Sequence, residues 1–118
     1  MDKLSIAWDC APMKAPKAES LLSPEMSPDR VGPRVVALRE ALRLSKSQFA
    51  DSIGLDRSAL SRIERGIDGL GIAKAMAIAD LYGFGLNYIY RGDLSDVPAE
   101  IRPTLLVELH TLGALPRK

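Results

Sequence analysis

The sequence predicts an all-α fold centred on a domain of five helices. Three observations carry that reading. Between Pro33 and Gly92 the apolar residues recur at the three- and four-residue spacing of helix faces. Gly54, Gly66, Gly83 and Gly92 punctuate these stretches, and glycine ends helices because it enters positive φ without a Cβ clash. Ser45 and Asp56 stand at two helix starts, where a side-chain oxygen accepts from the orphan N–H groups of the first turn.

The elements follow in chain order. Pro33 suits the first turn of an opening helix, where a missing N–H costs nothing, and Val35, Leu38, Ala41 and Leu42 form its apolar stripe. A second helix starts from Ser45, buries Phe49, Ala50 and Ile53, and stops at Gly54; Leu55 plugs the turn. A third starts from Asp56, turns Ala59, Leu60 and Ile63 inward and stops at Gly66. Residues 72–81 predict a fourth, with Ala75, Ile78, Ala79 and Leu81 inward and Gly83 as its stop. Phe84, Leu86, Ile89 and Tyr90 predict a short fifth helix that caps the core and ends near Gly92.

This domain spans residues 31–92. Residues 1–30 read as a flexible arm. Pro12, Pro16, Pro24 and Pro28 interrupt polar and small residues, and without a periodic apolar face the segment cannot offset its ordering entropy. Leu4, Ile6, Trp8 and Cys10 alternate at period two and predict a short strand over 4–10, which needs a partner strand or subunit. Residues 93–118 read as a tail. Leu105, Leu106, Leu109 and Leu112 predict a short helix from near Pro103 to Gly113. Pro98 and Pro103 prevent a longer one.

The net charge of +1 is uninformative until it is divided. Residues 34–66 hold Arg34, Arg39, Arg43, Lys46, Arg57, Arg62 and Arg65 against Glu40, Asp51, Asp56 and Glu64, and each flank carries one excess negative charge. Positive charge is thus concentrated where a phosphate backbone would be met. Cys10 and His110 are alone of their kinds, with no disulfide framework, metal-ligand spacing or nucleophile–base pair. Asp93 and Asp96 read as caps, and Tyr82, Tyr88 and Tyr90 as core and interface packing. No Gly-rich phosphate loop, membrane-spanning run or signal peptide is evident. A cytoplasmic protein with no cofactor, no metal and no enzymatic activity is expected.

The most informative stretch is 45–66, SKSQFADSIGLDRSALSRIERG. It has the form of a helix-turn-helix, whose second helix lies in the DNA major groove. Arg57, Ser58, Ser61, Arg62 and Arg65 occupy the face of that helix which the core does not need. Arginines on an exposed face are usually only solvated, and Ser58 and Ser61 fit either a plain exposed face or base contact.

With LRE at 38–40, LSKSQFA at 44–50, GLDRSALSRIERG at 54–66 and IADLYGFGLNYIYRG at 78–92, half of the chain resembles the lambda-repressor-like helix-turn-helix family, which includes Cro and the phage repressors. The resemblance implies a five-helix DNA-binding domain, a homodimer on double-stranded DNA, and repression. It places Arg57, Ser58, Ser61 and Arg62 on base-reading positions, and Ser45, Lys46 and Arg65 at phosphates. It also pairs Arg39 with Glu64 as a structural tie. Two departures stand out. Lys46 replaces a frequent glutamine, and the loop 67–71 carries Asp68 where relatives often have a basic residue.

The expectation is a sequence-specific transcriptional regulator, a repressor of phage or mobile-element type. The alternative is an antitoxin-type module, whose N-terminal arm folds on a protein partner while its core binds its own operator. A third reading is a scaffold that no longer binds DNA. Salt-sensitive retention on heparin or random duplex separates the first two from the third. Dimer contacts are expected from the fifth helix with Tyr88 and Tyr90, from the stripe Leu105 to Leu112, and from the strand.

Overall fold

The computed structural model describes residues 24–113, which form six α-helices and no strand. After a 3-10 turn at Pro24–Met26 come α1 (Pro28–Ala41), α2 (Lys46–Ile53), α3 (Arg57–Glu64), α4 (Ile72–Tyr82) and α5 (Leu86–Arg91). A second 3-10 turn, Leu94–Asp96, leads to α6 (Arg102–Thr111). The predicted strand over 4–10 and residues 1–23 of the predicted arm lie outside the described residues.

Helices α2 to α4 start, and α2 to α5 stop, where their local signals place them; α5 begins at Leu86, so Phe84, expected within it, lies just before it. The Ser45 hydroxyl accepts from the Gln48 N–H at 3.1 Å, and the Gln48 side chain accepts from the Ser45 N–H at 2.9 Å. This reciprocal pair satisfies two orphan donors at the start of α2. The Asp56 carboxylate accepts from the Ala59 N–H at 2.7 Å and starts α3 in the same way. Between them Gly54 sits at φ 77°, where a side chain would be strained, and allows the chain to turn. Val35, Leu38, Phe49, Leu60, Ile78, Phe84, Tyr88 and Ile89 are fully buried. Leu81, expected inward, is instead 56 % exposed at the end of α4. Phe49 packs on Tyr82, and Phe84 on Tyr88, each pair with ring centroids 5.6 Å apart.

The opening helix starts earlier than expected. Pro28, not Pro33, occupies the first helical turn, and Pro33 lies inside α1. Residues 24–30 therefore belong to the domain rather than to an arm. What holds them is a face that apolar periodicity does not register. Val31 is buried, and Gly32 lies against the end of α3. Arg34, only 6 % exposed, pairs with the Glu25 carboxylate and donates to the Glu25 carbonyl at 2.7 Å and the Ile89 carbonyl at 3.1 Å. Burial lowers the Arg34 pKa, and the charge of Glu25 works against that shift. A Cβ on Gly32 would lie 2.7 Å from the Ile63 carbonyl oxygen and 2.8 Å from that of Glu64. The absence of a side chain there lets α1 cross α3 at close range.

The C-terminal segment is also part of the core. Leu105 and Leu109 of α6 are buried, and α6 forms the most extensive helix–helix contact of the domain, against α1. The 93–113 stretch is not an appendage, and the inner half of its leucine stripe is unavailable to a second subunit. Tyr88 is likewise buried, donating to the Arg34 carbonyl at 2.7 Å, and burial raises its pKa. Tyr90 donates to the Leu70 carbonyl at 2.7 Å. Tyr88 serves internal packing, because a buried phenol needs a partner inside the fold, and the half-buried Tyr90 has its hydroxyl tied inward in the same way. Of the large apolar side chains of α6, Leu106 and Val107 face outward, as does Leu112 just beyond the helix end.

One residue other than glycine has positive φ among the described residues: Arg43, at 61°. It closes α1, with its own N–H bonded to the Glu40 carbonyl and that of Leu44 to the Arg39 carbonyl. A left-handed conformation costs a residue with a Cβ about 1–2 kcal/mol relative to glycine. Arg43→Gly is therefore expected to raise the urea midpoint, by an amount equivalent to about 1 kcal/mol after the greater unfolded-state entropy of glycine is allowed for. A lowered midpoint would show that the arginine makes a contact worth more than its strain.

Candidate nucleic-acid interface

The sequence of α3 supplies one stripe for the core and one for solvent. Leu60, Ile63 and Glu64 point inward. Arg57, Ser58, Ser61, Arg62 and Arg65 line one open concavity on the other side. The chain turn at Gly54 and the cap at Asp56 set the direction in which α3 leaves α2, so the polar stripe is presented outward.

The inward end of α3 is tied to α1 and α2. Arg39, buried on α1, donates from Nε to Glu64 Oε2 at 2.7 Å and from Nη2 to Oε1 at 3.3 Å. Its Nη1 donates to the Leu44 carbonyl at 3.0 Å. Bidentate geometry of this kind is the strong form of an arginine–carboxylate pair. The Glu64 side chain is 4 % exposed, so the charge is compensated where water cannot reach it.

Lys46 joins the same network rather than standing clear of it. Its ammonium donates to Ser61 Oγ at 3.1 Å and lies 3.9 Å from Glu64 Oε1. Two residues expected to meet DNA separately, one at phosphate and one at a base, are therefore bonded to each other. Ser45 is engaged as the α2 cap, although its hydroxyl retains a proton to donate. Ser58 donates to Asp56 Oδ1 at 3.2 Å. The guanidinium groups of Arg57 and Arg65 have no partner among the described residues, and both side chains are exposed.

Arg62 is held from outside the helix. Its Nε donates to Asp68 Oδ2 at 2.7 Å and its Nη2 to Oδ1 at 3.2 Å. The Asp68 carboxyl is held below its ordinary range by these bonds and then by the guanidinium charge, and the same contacts raise the pKa of Arg62. Sequence reasoning singled out Asp68 only as a missing positive charge. The signal available was a carboxylate just beyond the glycine that ends α3, within reach of its last turn.

Among the described residues no group of His, Cys, Asp or Glu side chains is placed to hold a metal ion, and no helix is long and apolar enough to cross a membrane. Residues 35–89 match a protein family described as helix-turn-helix. No curated protein and no solved structure matches the chain significantly. The matched segment runs from the middle of α1 to α5 and contains the capped pair α2–α3, the buried tie at Glu64 and the outward polar stripe. Residues 35–89 thus form a lambda-repressor-like helix-turn-helix domain, which supports a DNA-binding regulator.

Proposed function

We propose that the protein is a sequence-specific transcriptional repressor that reads the major groove with α3 and acts by occupying its site. The observation that carries this is the division of α3 into a buried stripe and an open polar face, with Arg57 and Arg65 unpartnered among the described residues. In this reading Arg57 and Arg62 reach base edges, where arginine donates to guanine O6 and N7. Ser58 and Ser61 pack beside them. Arg65, Ser45 and Lys46 face phosphates, Lys46 with its charge already shared by Glu64.

One such domain has a small positive excess, so a two-fold pair of domains adds contacts and specificity. Outward apolar side chains available for pairing include Leu106 and Val107 on α6 and Ile72 and Met76 on α4. Selection of bound sites from a random duplex pool tests the whole reading. The expected result is a two-fold symmetric site with half-sites spaced by about one helical turn, roughly 34 Å. In the same assay Arg57→Ala and Arg62→Ala are each expected to flatten the preference at one position, with a loss of roughly 1–3 kcal/mol of discrimination. Wild-type preferences in both variants would remove α3 from base reading, and an asymmetric single half-site would remove the dimer.

A further inference from the structure

We infer that Asp68 is a positioning residue for base readout, holding Arg62 by its Nε–Nη2 edge so that its terminal edge is presented to a guanine. This rests on the reading of α3 as the base-reading helix. The geometry is that of a clamp. The helix ends in a glycine-closed turn, in which the N–H groups of Ile67 and Asp68 both bond to the Arg62 carbonyl, at 3.0 and 3.3 Å. The loop that carries the carboxylate is thereby anchored to the same residue whose side chain the carboxylate holds. The guanidinium cannot swing without breaking two side-chain bonds, and the loop cannot move without breaking two backbone bonds.

The chemistry of the free edge follows. Asp68 engages Nε and one hydrogen of Nη2. The hydrogens of Nη1 and the outer hydrogen of Nη2 remain, and they form the fork that matches guanine O6 and N7. A long, exposed side chain ordinarily loses rotamer freedom when it binds; one already held in place loses less. Asp68 also places a negative charge beside the DNA-facing surface, which weakens attraction to phosphate on any sequence. The residue therefore lowers general affinity and raises discrimination.

The experiment measures the full chain on the selected duplex, on the same duplex with the guanine facing Arg62 replaced, and on random duplex. Asp68→Ala is expected to bind random duplex more tightly, with a steeper salt dependence. Its guanine discrimination is expected to fall by about tenfold, the lower end of what a bidentate contact supplies. Asp68→Asn, which keeps an acceptor without the charge, is expected to fall between the two. Both side chains are about half exposed, so the melting temperature stays unchanged. If discrimination in Asp68→Ala is kept or increased while Arg62→Ala loses it, Asp68 only competes for Arg62, and the inference fails alone. If Arg62→Ala also keeps the preference, the reading of α3 fails with it.

Discussion

Glu64→Ala is expected to lower the melting temperature and the DNA affinity of the protein together. The substitution leaves Arg39 buried on α1 with its bidentate acceptor gone. Removing one member of a buried pair costs about 3–5 kcal/mol, because the remaining charge is uncompensated in a poorly solvated place. In a domain of this size that corresponds to a fall of more than about 10 °C. Glu40 stands 3.4 Å from Arg39 but is half exposed, so it offsets only part of the loss. Binding falls in parallel because Glu64 is also the residue against which α1 and α2 set the end of α3, through Arg39 and through Lys46. Glu64→Gln, which keeps hydrogen-bond acceptance, is expected to lose less of both. Thermal melting followed by circular dichroism, with duplex binding on the same samples, checks the pairing of effects. Lost binding at an undiminished melting temperature would place Glu64 in recognition instead.

The second large effect lies in α6, outside the polar face of α3. Leu105→Ala is expected to destabilise the protein by roughly 2–5 kcal/mol, the range for emptying a leucine site in a packed core. Leu105 is fully buried, and its helix covers α1. Removal of residues 93–118 is expected to do more, abolishing the cooperative urea transition, since it uncovers the face of α1 that α6 occupies. Leu106→Ala is the control. That side chain is 39 % exposed, and its truncation is expected to shift stability by less than about 0.5 kcal/mol. A truncated chain that unfolded like the full one would show α6 to be dispensable to the core.

The difference between these two leucines indicates where sequence reasoning stopped. The stripe from Leu105 to Leu112 predicts a short helix from near Pro103 to Gly113, but not which of its leucines faces the protein. A short helix with apolar residues on adjacent faces has no local preference for one over the other, and α1 decides. At the other end Val31, Gly32 and Arg34 form a packed face that contains one clearly apolar side chain. Gly32 contributes by letting backbones approach, and Arg34 by pairing with Glu25. Neither contribution registers as hydrophobic periodicity, so periodicity points to Pro33 as the start of α1, five residues after the actual start at Pro28.

Within the candidate interface the boundary falls in the same place. The exposure of Arg57, Ser58 and Arg62 follows from α3 alone, since Leu60 and Ile63 define the inward side and helical geometry places the others opposite. The partners of those residues do not follow. Lys46 meets Ser61 across two helices, and Arg62 meets Asp68 across a turn. Side-chain direction there depends on how the elements are placed.

By itself, then, the sequence determined where α2 to α4 begin, where α2 to α5 end, and which stripe of α3 is polar. Caps at Ser45 and Asp56, stops at Gly54, Gly66, Gly83 and Gly92, and apolar periodicity all act within a few residues of chain, and such short-range terms are written locally. Only the tertiary structure decided that α6 is core, that Tyr88 is internal, and that Asp68 holds Arg62. These depend on burial and charge pairing between residues brought together by folding, and on which of several equally apolar or equally charged side chains ends in contact.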